Sequence, residues 1–215
     1  MSDIAEILAL SPVIPVLTIE DANDAVPLAR ALLGGGLRVL EVTLRTEQAL
    51  DCISAIARAM PDAIVGAGTV LSARDCARAH DTGARFAVSP GLTDGLAQSP
   101  LPLLPGIATA SEIMRGLDFG LTCFKFFPAE SSGGVRALKA FAGPFGQVRF
   151  CPTGGISQDN APLYLALANV VCIGGTWIAP ENLIAEKNWS AIAELARAAS
   201  RLRTPSIKSD AAGHP

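Results

Sequence analysis

Leu40-Glu41-Val42-Thr43-Leu44-Arg45 alternates apolar and polar side chains without a break. Successive side chains point to opposite faces of a strand, so Leu40, Val42 and Leu44 share one face and Glu41, Thr43 and Arg45 the other. A barrel of parallel strands accommodates both faces. The apolar one packs on surrounding helices, and the polar one points inward toward the catalytic end. Burying a carboxylate and a guanidinium there is costly unless they are paired or used. One reading is a structural Glu41–Arg45 pair in the core. The other is a reactive site, because polar groups at the C-terminal ends of barrel strands usually belong to one.

Working outward, short apolar runs recur in one rhythm: Val13–Leu17, Val39–Leu44, Ala63–Gly66, Phe86–Ser89, Leu101–Leu104, Cys123–Phe127, Val148–Cys151 and Val170–Ile173. Between them lie amphipathic segments, Ala22–Leu33, Glu47–Ala59, Ala73–His80, Ala110–Leu117, Val135–Phe141 and Gln158–Leu167. Strands alternating with helices imply βαβ units and a parallel sheet. Eight such strands imply an α/β fold closed into a single (β/α)8 TIM barrel, with a doubly wound open sheet as the alternative. Ile4–Leu10 reads as an extra N-terminal helix that plugs the barrel bottom, and Trp189–Leu202 as the last helix. The barrel domain is expected over residues 1–203 and a disordered polar tail over 204–215. Ser72 followed by Asp75 resembles a capping box. Ser157 is the expected N-cap of the helix at Gln158, and Gly34–Gly35–Gly36 supplies a left-handed helix end.

The 215 residues suit one such barrel and bury enough surface to need no disulfide or metal staple. Half the residues are hydrophobic and 17% charged, which excludes a disordered chain. A net charge of −3, with no basic stripe, argues against nucleic acid as a partner. The five cysteines, Cys52, Cys76, Cys123, Cys151 and Cys172, show no CxxC spacing and sit in apolar stretches. They read as buried thiols of a reducing cytoplasm. With only His80 and His214 as imidazoles, a His-rich zinc site is nearly excluded. The N-terminus lacks the features of a signal peptide. The uncharged stretch 160–180 is broken by Pro162, Asn169, Gly174–Gly175 and Pro180, so it reads as helix, turn and buried strand rather than a membrane span.

Three features carry chemistry. Cys123-Phe124-Lys125-Phe126-Phe127-Pro128 sets one lysine in a strongly apolar strand, while Lys139, Lys187 and Lys208 lie on a helix, a polar connection and the tail. An unprotonated lysine attacks a carbonyl and forms a Schiff base. A lysine snorkelling from an edge strand is the bland alternative, and a closed barrel has no edge. Next, Cys151-Pro152-Thr153-Gly154-Gly155-Ile156-Ser157 and Cys172-Ile173-Gly174-Gly175-Thr176-Trp177 place Gly-Gly after strands seven and eight. In barrels these loops often form a phosphate site, where glycine lets backbone N–H groups approach and a helix N-terminus adds its dipole. Tight turns without a ligand are the alternative. Lastly, Gly66-Ala67-Gly68-Thr69 and Ser89-Pro90-Gly91 end two more strands, and Thr69 can donate to a substrate carboxylate. An amine, a carboxylate, a cation and a phosphate cradle at one mouth suit a phosphorylated keto acid and require no metal or cofactor.

Five stretches carry a resemblance: Glu41-Val42-Thr43-Leu44-Arg45-Thr46, Val65-Gly66-Ala67-Gly68-Thr69-Val70, Ser89-Pro90-Gly91, Phe124-Lys125-Phe126-Phe127-Pro128-Ala129-Glu130 and Arg149-Phe150-Cys151-Pro152-Thr153-Gly154-Gly155-Ile156. Over about residues 4–203 the chain resembles the 2-keto-3-deoxy-6-phosphogluconate (KDPG) and 4-hydroxy-2-oxoglutarate aldolase family. The resemblance implies a class I aldolase, a homotrimer of barrels, that releases pyruvate and glyceraldehyde 3-phosphate in the Entner–Doudoroff pathway. It implies that Lys125 forms the Schiff base and Glu41 moves protons. Arg45 and Thr69 look like binders of the pyruvyl carboxylate, with Thr153 close by and Pro90 among the substrate-binding residues. Gly154, Gly155, Gly174, Gly175 and Thr176 look like the phosphate cradle. Thr176 is a departure, since serine is expected there, but the hydroxyl is kept. Alternatives are 4-hydroxy-2-oxoglutarate cleavage, phosphogalactonate cleavage, and an isomerase or non-catalytic phosphate-binding barrel, the last of which leaves the lysine unexplained.

Overall fold

The alternation around Glu41 is realised in the computed structural model of the chain, which describes residues 3–202. Its strands are β1 (Val13–Leu17), β2 (Val39–Thr43), β3 (Ile64–Gly68), β4 (Ala87–Val88), β5 (Leu103–Leu104), β6 (Gly106–Ile107), β7 (Cys123–Phe126), β8 (Arg149–Pro152) and β9 (Ile173–Gly175). The helices are α1 (Ile4–Leu8), α2 (Ala22–Gly34), α3 (Ala49–Ala59), α4 (Ala73–Asp81), α5 (Asp94–Ala97), α6 (Ala110–Asp118), α7 (Gly134–Phe141), α8 (Ala161–Leu165), α9 (Glu181–Ala185) and α10 (Trp189–Ser200). Paired strands are parallel throughout. They form a six-stranded sheet, ordered β5-β4-β3-β2-β1-β9, and a three-stranded sheet, β6-β7-β8. Isolated bridges Phe150–Val170 and Thr153–Gly174 connect β8 with the chain around β9. The fold is α/β and TIM-barrel-like.

Strand alternation sorts apolar side chains into two cores. Leu40, Val42, Phe124, Phe126, Phe150 and Ile173 join the larger core, which the helices cover. Ile14, Val39, Phe86, Val88 and Leu104 form the smaller, inner one with Cys123, Cys151 and Cys172. Ile4, Ile7 and Leu8 of α1 pack into this inner core. Burial of such side chains stabilises each by roughly 1.5–3 kcal/mol.

The expected strand at 101–104 is confined to Leu103–Leu104 and resumes after Pro105 as β6. Proline has no N–H to donate, so the ladder breaks there. The expected strand at 170–173 is ordered later, at Ile173–Gly175, with Val170 in a single bridge. The helix expected from Gln158 begins at Ala161, so Ser157 is not its N-cap; Ser157 instead donates its N–H to Asn160 Oδ1 at 2.8 Å. Ser72 does cap α4, accepting the Asp75 N–H, and Gly36 after α2 takes φ +95°. Short helices α5 and α9 were not anticipated. Within 160–180 lie α8 and the whole of β9, and no helix among the described residues is long and apolar enough to cross a membrane. The tail expected at 204–215 lies outside the described residues.

Leu8 is fully buried, so Leu8→Ala is expected to cost about 2–5 kcal/mol, read as a lowered denaturation midpoint. Burial, reinforced by the Asp51 charge, pushes the Cys52 thiol from 9.0 up to about 11. A folded-state value above the unfolded one gives stability that is complete below pH 9 and lost as pH rises toward 11. Denaturant midpoints should fall across that window, and the fall should be shallower in Cys52→Val; an identical slope would contradict the assignment.

Candidate active site

The two phenylalanines flanking Lys125 turn outward into the helix-covered core, which turns the lysine inward. Its residue is 6% exposed, and Glu41 on β2 is 3% exposed. Lys125 Nζ donates to Glu41 Oε1 at 3.3 Å, a contact between residues 84 positions apart. The Lys125 ammonium nitrogen also lies 5.2 Å from the centre of the Phe127 ring, within reach of its π face. The structural Glu41–Arg45 pair considered from sequence is not formed. β2 ends at Thr43, and Arg45 stands beyond it, exposed at the mouth.

Glycines make room for this pair. A Cβ on Gly68 would overlap Glu41 Oε1. Gly106, the in-register partner of Lys125, is crossed at the same depth by the Pro90 carbonyl. Pro90 itself is exposed at the end of β4. Thr43 donates to the Leu17 carbonyl at 2.9 Å and shares a 3.2 Å hydrogen bond with Thr18, which fastens β2 to β1 beside the site. Cys151 is the in-register partner of Lys125 on β8, and with Cys123 and Cys172 it joins the inner core. Burial pushes the Cys123 thiol up. Burial, and then contact with Cys151, pushes Cys172 well up.

The Gly-rich loops meet at one side of the mouth. Thr153 is buried and bridges to Gly174, where a Cβ would overlap its hydroxyl. Gly154 and Gly155 take φ +99° and +77°, which glycine adopts without strain. The peptide after Phe127 is cis to Pro128, and the chain then runs along the glycine loop. Ala129 N–H donates to the Thr153 carbonyl at 2.8 Å and Glu130 N–H to the Gly154 carbonyl at 3.1 Å. Gly175 packs against the Trp177 ring. The loop does not run directly into a long helix as expected; residues 157–160 intervene before the five-residue α8.

Arg45 lines two adjoining clefts of about 520 Å³ each. One includes Thr69, Leu71 and Arg78; the other includes Thr18, Thr176, Trp177 and Asn182. Thr69 is half-buried with φ +57°, an uncommon conformation for a β-branched residue. Glu41 and Lys125 are thus in direct contact, while Arg45, Thr69 and Thr176 line clefts whose walls include neither of the two. Sequence reasoning missed Thr18, Trp177, Asn182 and the socket role of Gly68. Glycine inside a strand is a signal of close approach, but not of what approaches.

Residues 4–195 match the sequence profile described as "Aldolase: KDPG and KHG aldolase". The chain belongs to this aldolase family. The 2-dehydro-3-deoxy-phosphogluconate aldolase of Pseudoalteromonas atlantica is 55% identical over 198 residues, 90% of this chain and 92% of that protein. The KDPG aldolase of Legionella pneumophila, solved with pyruvate captured as a covalent carbinolamine, superposes with a TM-score of 0.91 at 49% identity, covering 93% and 98% of the two chains. The Zymomonas mobilis enzyme, solved with 3-phosphoglycerate, gives a TM-score of 0.89 at 49% identity over 95% and 98%.

In this aldolase-family chain, Gly68→Ala is expected to force Glu41 away from Lys125 and to destabilise by about 1–3 kcal/mol. A crystal structure of the variant should show the Nζ–Oε1 gap opened beyond about 4 Å; an unchanged pair would refute the socket role.

Proposed function

We propose that the Lys125–Glu41 pair carries out class I aldol cleavage of 2-keto-3-deoxy-6-phosphogluconate to pyruvate and glyceraldehyde 3-phosphate. The observation that carries this reading is the buried 3.3 Å contact between the amine and the carboxylate. The protein is a carbon–carbon lyase of the KDPG aldolase type, and its substrates are small phosphorylated keto acids.

Glu41 takes a proton from the Lys125 ammonium, the free amine attacks the C2 ketone, and Glu41 returns that proton as the carbinolamine hydroxyl leaves as water and an iminium forms. Glu41 takes the proton of the C4 hydroxyl as the C3–C4 bond breaks. The bonding pair flows into the iminium and leaves an enamine while the aldehyde departs. Glu41 returns a proton to C3, and water hydrolyses the imine to free pyruvate and Lys125. One carboxylate close to the amine can serve these proton transfers, which is ordinary for a positioned acid–base. Arg45 and Thr69 bind the pyruvyl carboxylate, with Thr153 and Pro90 bordering the reacting carbons. Gly154, Gly155, Gly174, Gly175 and Thr176 hold the phosphate. Their support is the pair of positive-φ glycines, and the Thr176 hydroxyl lining a cleft shared with Arg45. This cradle favours the phosphorylated substrate over 4-hydroxy-2-oxoglutarate, which the family description also covers.

The two sheets join as one eight-stranded barrel, with Pro105 interrupting one strand and the isolated bridges closing the other seam. α1 closes the bottom as an added helix. The working form is a homotrimer in the cytoplasm, a location that five buried, unpaired thiols support.

Borohydride reduction in the presence of pyruvate should leave one adduct, mapped to Lys125 and absent from Lys125→Ala. Glu41→Gln should still trap pyruvate but lose about 10²- to 10⁴-fold in cleavage rate. A folded wild-type protein that forms no adduct would overturn the Schiff-base mechanism.

A further inference from the structure

Glu130 closes the same motif that contains Lys125, yet the mechanism above gives it no task. We infer that Glu130 is a positioning residue that holds the phosphate loop on the lysine strand, and so sets affinity for the phosphorylated end of the substrate. This rests on the reading of Gly154–Gly155 as the phosphate cradle.

Tyr164, the only tyrosine of the chain, is 1% exposed on α8. Its hydroxyl donates to Glu130 Oε1 in a short hydrogen bond. A buried tyrosine hydroxyl needs such a partner. Burial and then this bond push the Tyr164 phenol up, so it remains a donor at every working pH. Asn160 joins the same oxygen. Its Nδ2 lies 3.5 Å from Glu130 Oε1 and donates to the Gly155 carbonyl at 3.1 Å, while its Oδ1 accepts the Ser157 N–H. The stem of Glu130 fills the space beside Gly155, where a Cβ would come within 2.6 Å of its Cγ. Glu130's own N–H holds the Gly154 carbonyl. The loop is therefore gripped from the lysine side by backbone and stem, and from the α8 side through one carboxylate oxygen. The Glu130 side chain neither contacts Lys125 nor Glu41, so its effect should fall on binding of the far end of the substrate and spare the chemical step.

The variants are Glu130→Ala, Tyr164→Phe and the conservative Glu130→Gln, whose amide oxygen still accepts from Tyr164. Steady-state kinetics would be measured on KDPG and on 4-hydroxy-2-oxoglutarate, with inorganic phosphate as a competitive inhibitor and pyruvate trapping as a separate readout. In Glu130→Ala and Tyr164→Phe, KM for KDPG and the inhibition constant of phosphate should each rise about tenfold, as for a lost hydrogen bond to a charged group. The kcat, pyruvate trapping and KM for the unphosphorylated substrate should stay within about twofold. Glu130→Gln should restore most of the affinity. Equal losses on both substrates, or no change in Glu130→Ala and Tyr164→Phe, would overturn the inference. Should Glu130→Ala not fold, Tyr164→Phe decides, because it keeps the buried ring. If phosphate competes in the wild type but the variants bind it equally well, only this inference fails. If phosphate does not compete in the wild type, the cradle reading fails and takes the inference with it.

Discussion

Two opposite charges buried between curled parallel sheets impose the main constraint on this molecule. Glu41 and Lys125 are each almost wholly removed from water and are 3.3 Å apart. Either one alone would be a costly defect, since an unpaired buried charge loses its hydration without compensation. Together they are tolerable, because each offsets part of the other's lost hydration. β2 and β7 belong to different sheets, so the pair exists only when the sheets curl to bring these strands face to face.

Much of the surrounding sequence serves that constraint. Gly68 leaves space for the Glu41 carboxylate, and Gly106 leaves space beside the lysine strand for the Pro90 carbonyl. Cys123, Cys151 and Cys172 join the inner apolar core, and burial pushes the Cys123 and Cys172 thiols up. Outside this inner core, aliphatic and aromatic side chains face the helices and supply the bulk of the hydrophobic stabilisation. Burial and exposure divide the labour. The Lys125–Glu41 pair sits in the dry interior, while Arg45 and Thr176 stand exposed at the rim.

Some of this was legible in the residue order. Period-two alternation at Leu40–Arg45 correctly placed Glu41 inside, and Lys125, the lone lysine among phenylalanines, is buried as well. The partner of Glu41 was not legible. Arg45 is four positions away and invites a local pairing, whereas Lys125 is 84 positions away. The strand simply ends before Arg45, and alternation stops predicting direction there. Ser157 failed as a cap for a similar reason: Asn160, three residues on, takes its N–H and delays the helix. Tyr164 gave no sign of its tie to Glu130, because that contact spans 34 positions and depends on α8 lying against the loop after β7.

By itself the sequence determined the α/β class, the sidedness of each strand and the chemical types available at the mouth. These follow from local rules, namely side-chain periodicity, the missing N–H of proline and the conformational freedom of glycine. Tertiary structure decided who touches whom. It paired Glu41 with Lys125, released Arg45 to the rim, and gave Gly68 and Gly155 their close neighbours. Such choices are made by curvature of the sheets and by the free energy of burying charge, and both are properties of the whole fold rather than of any segment within it.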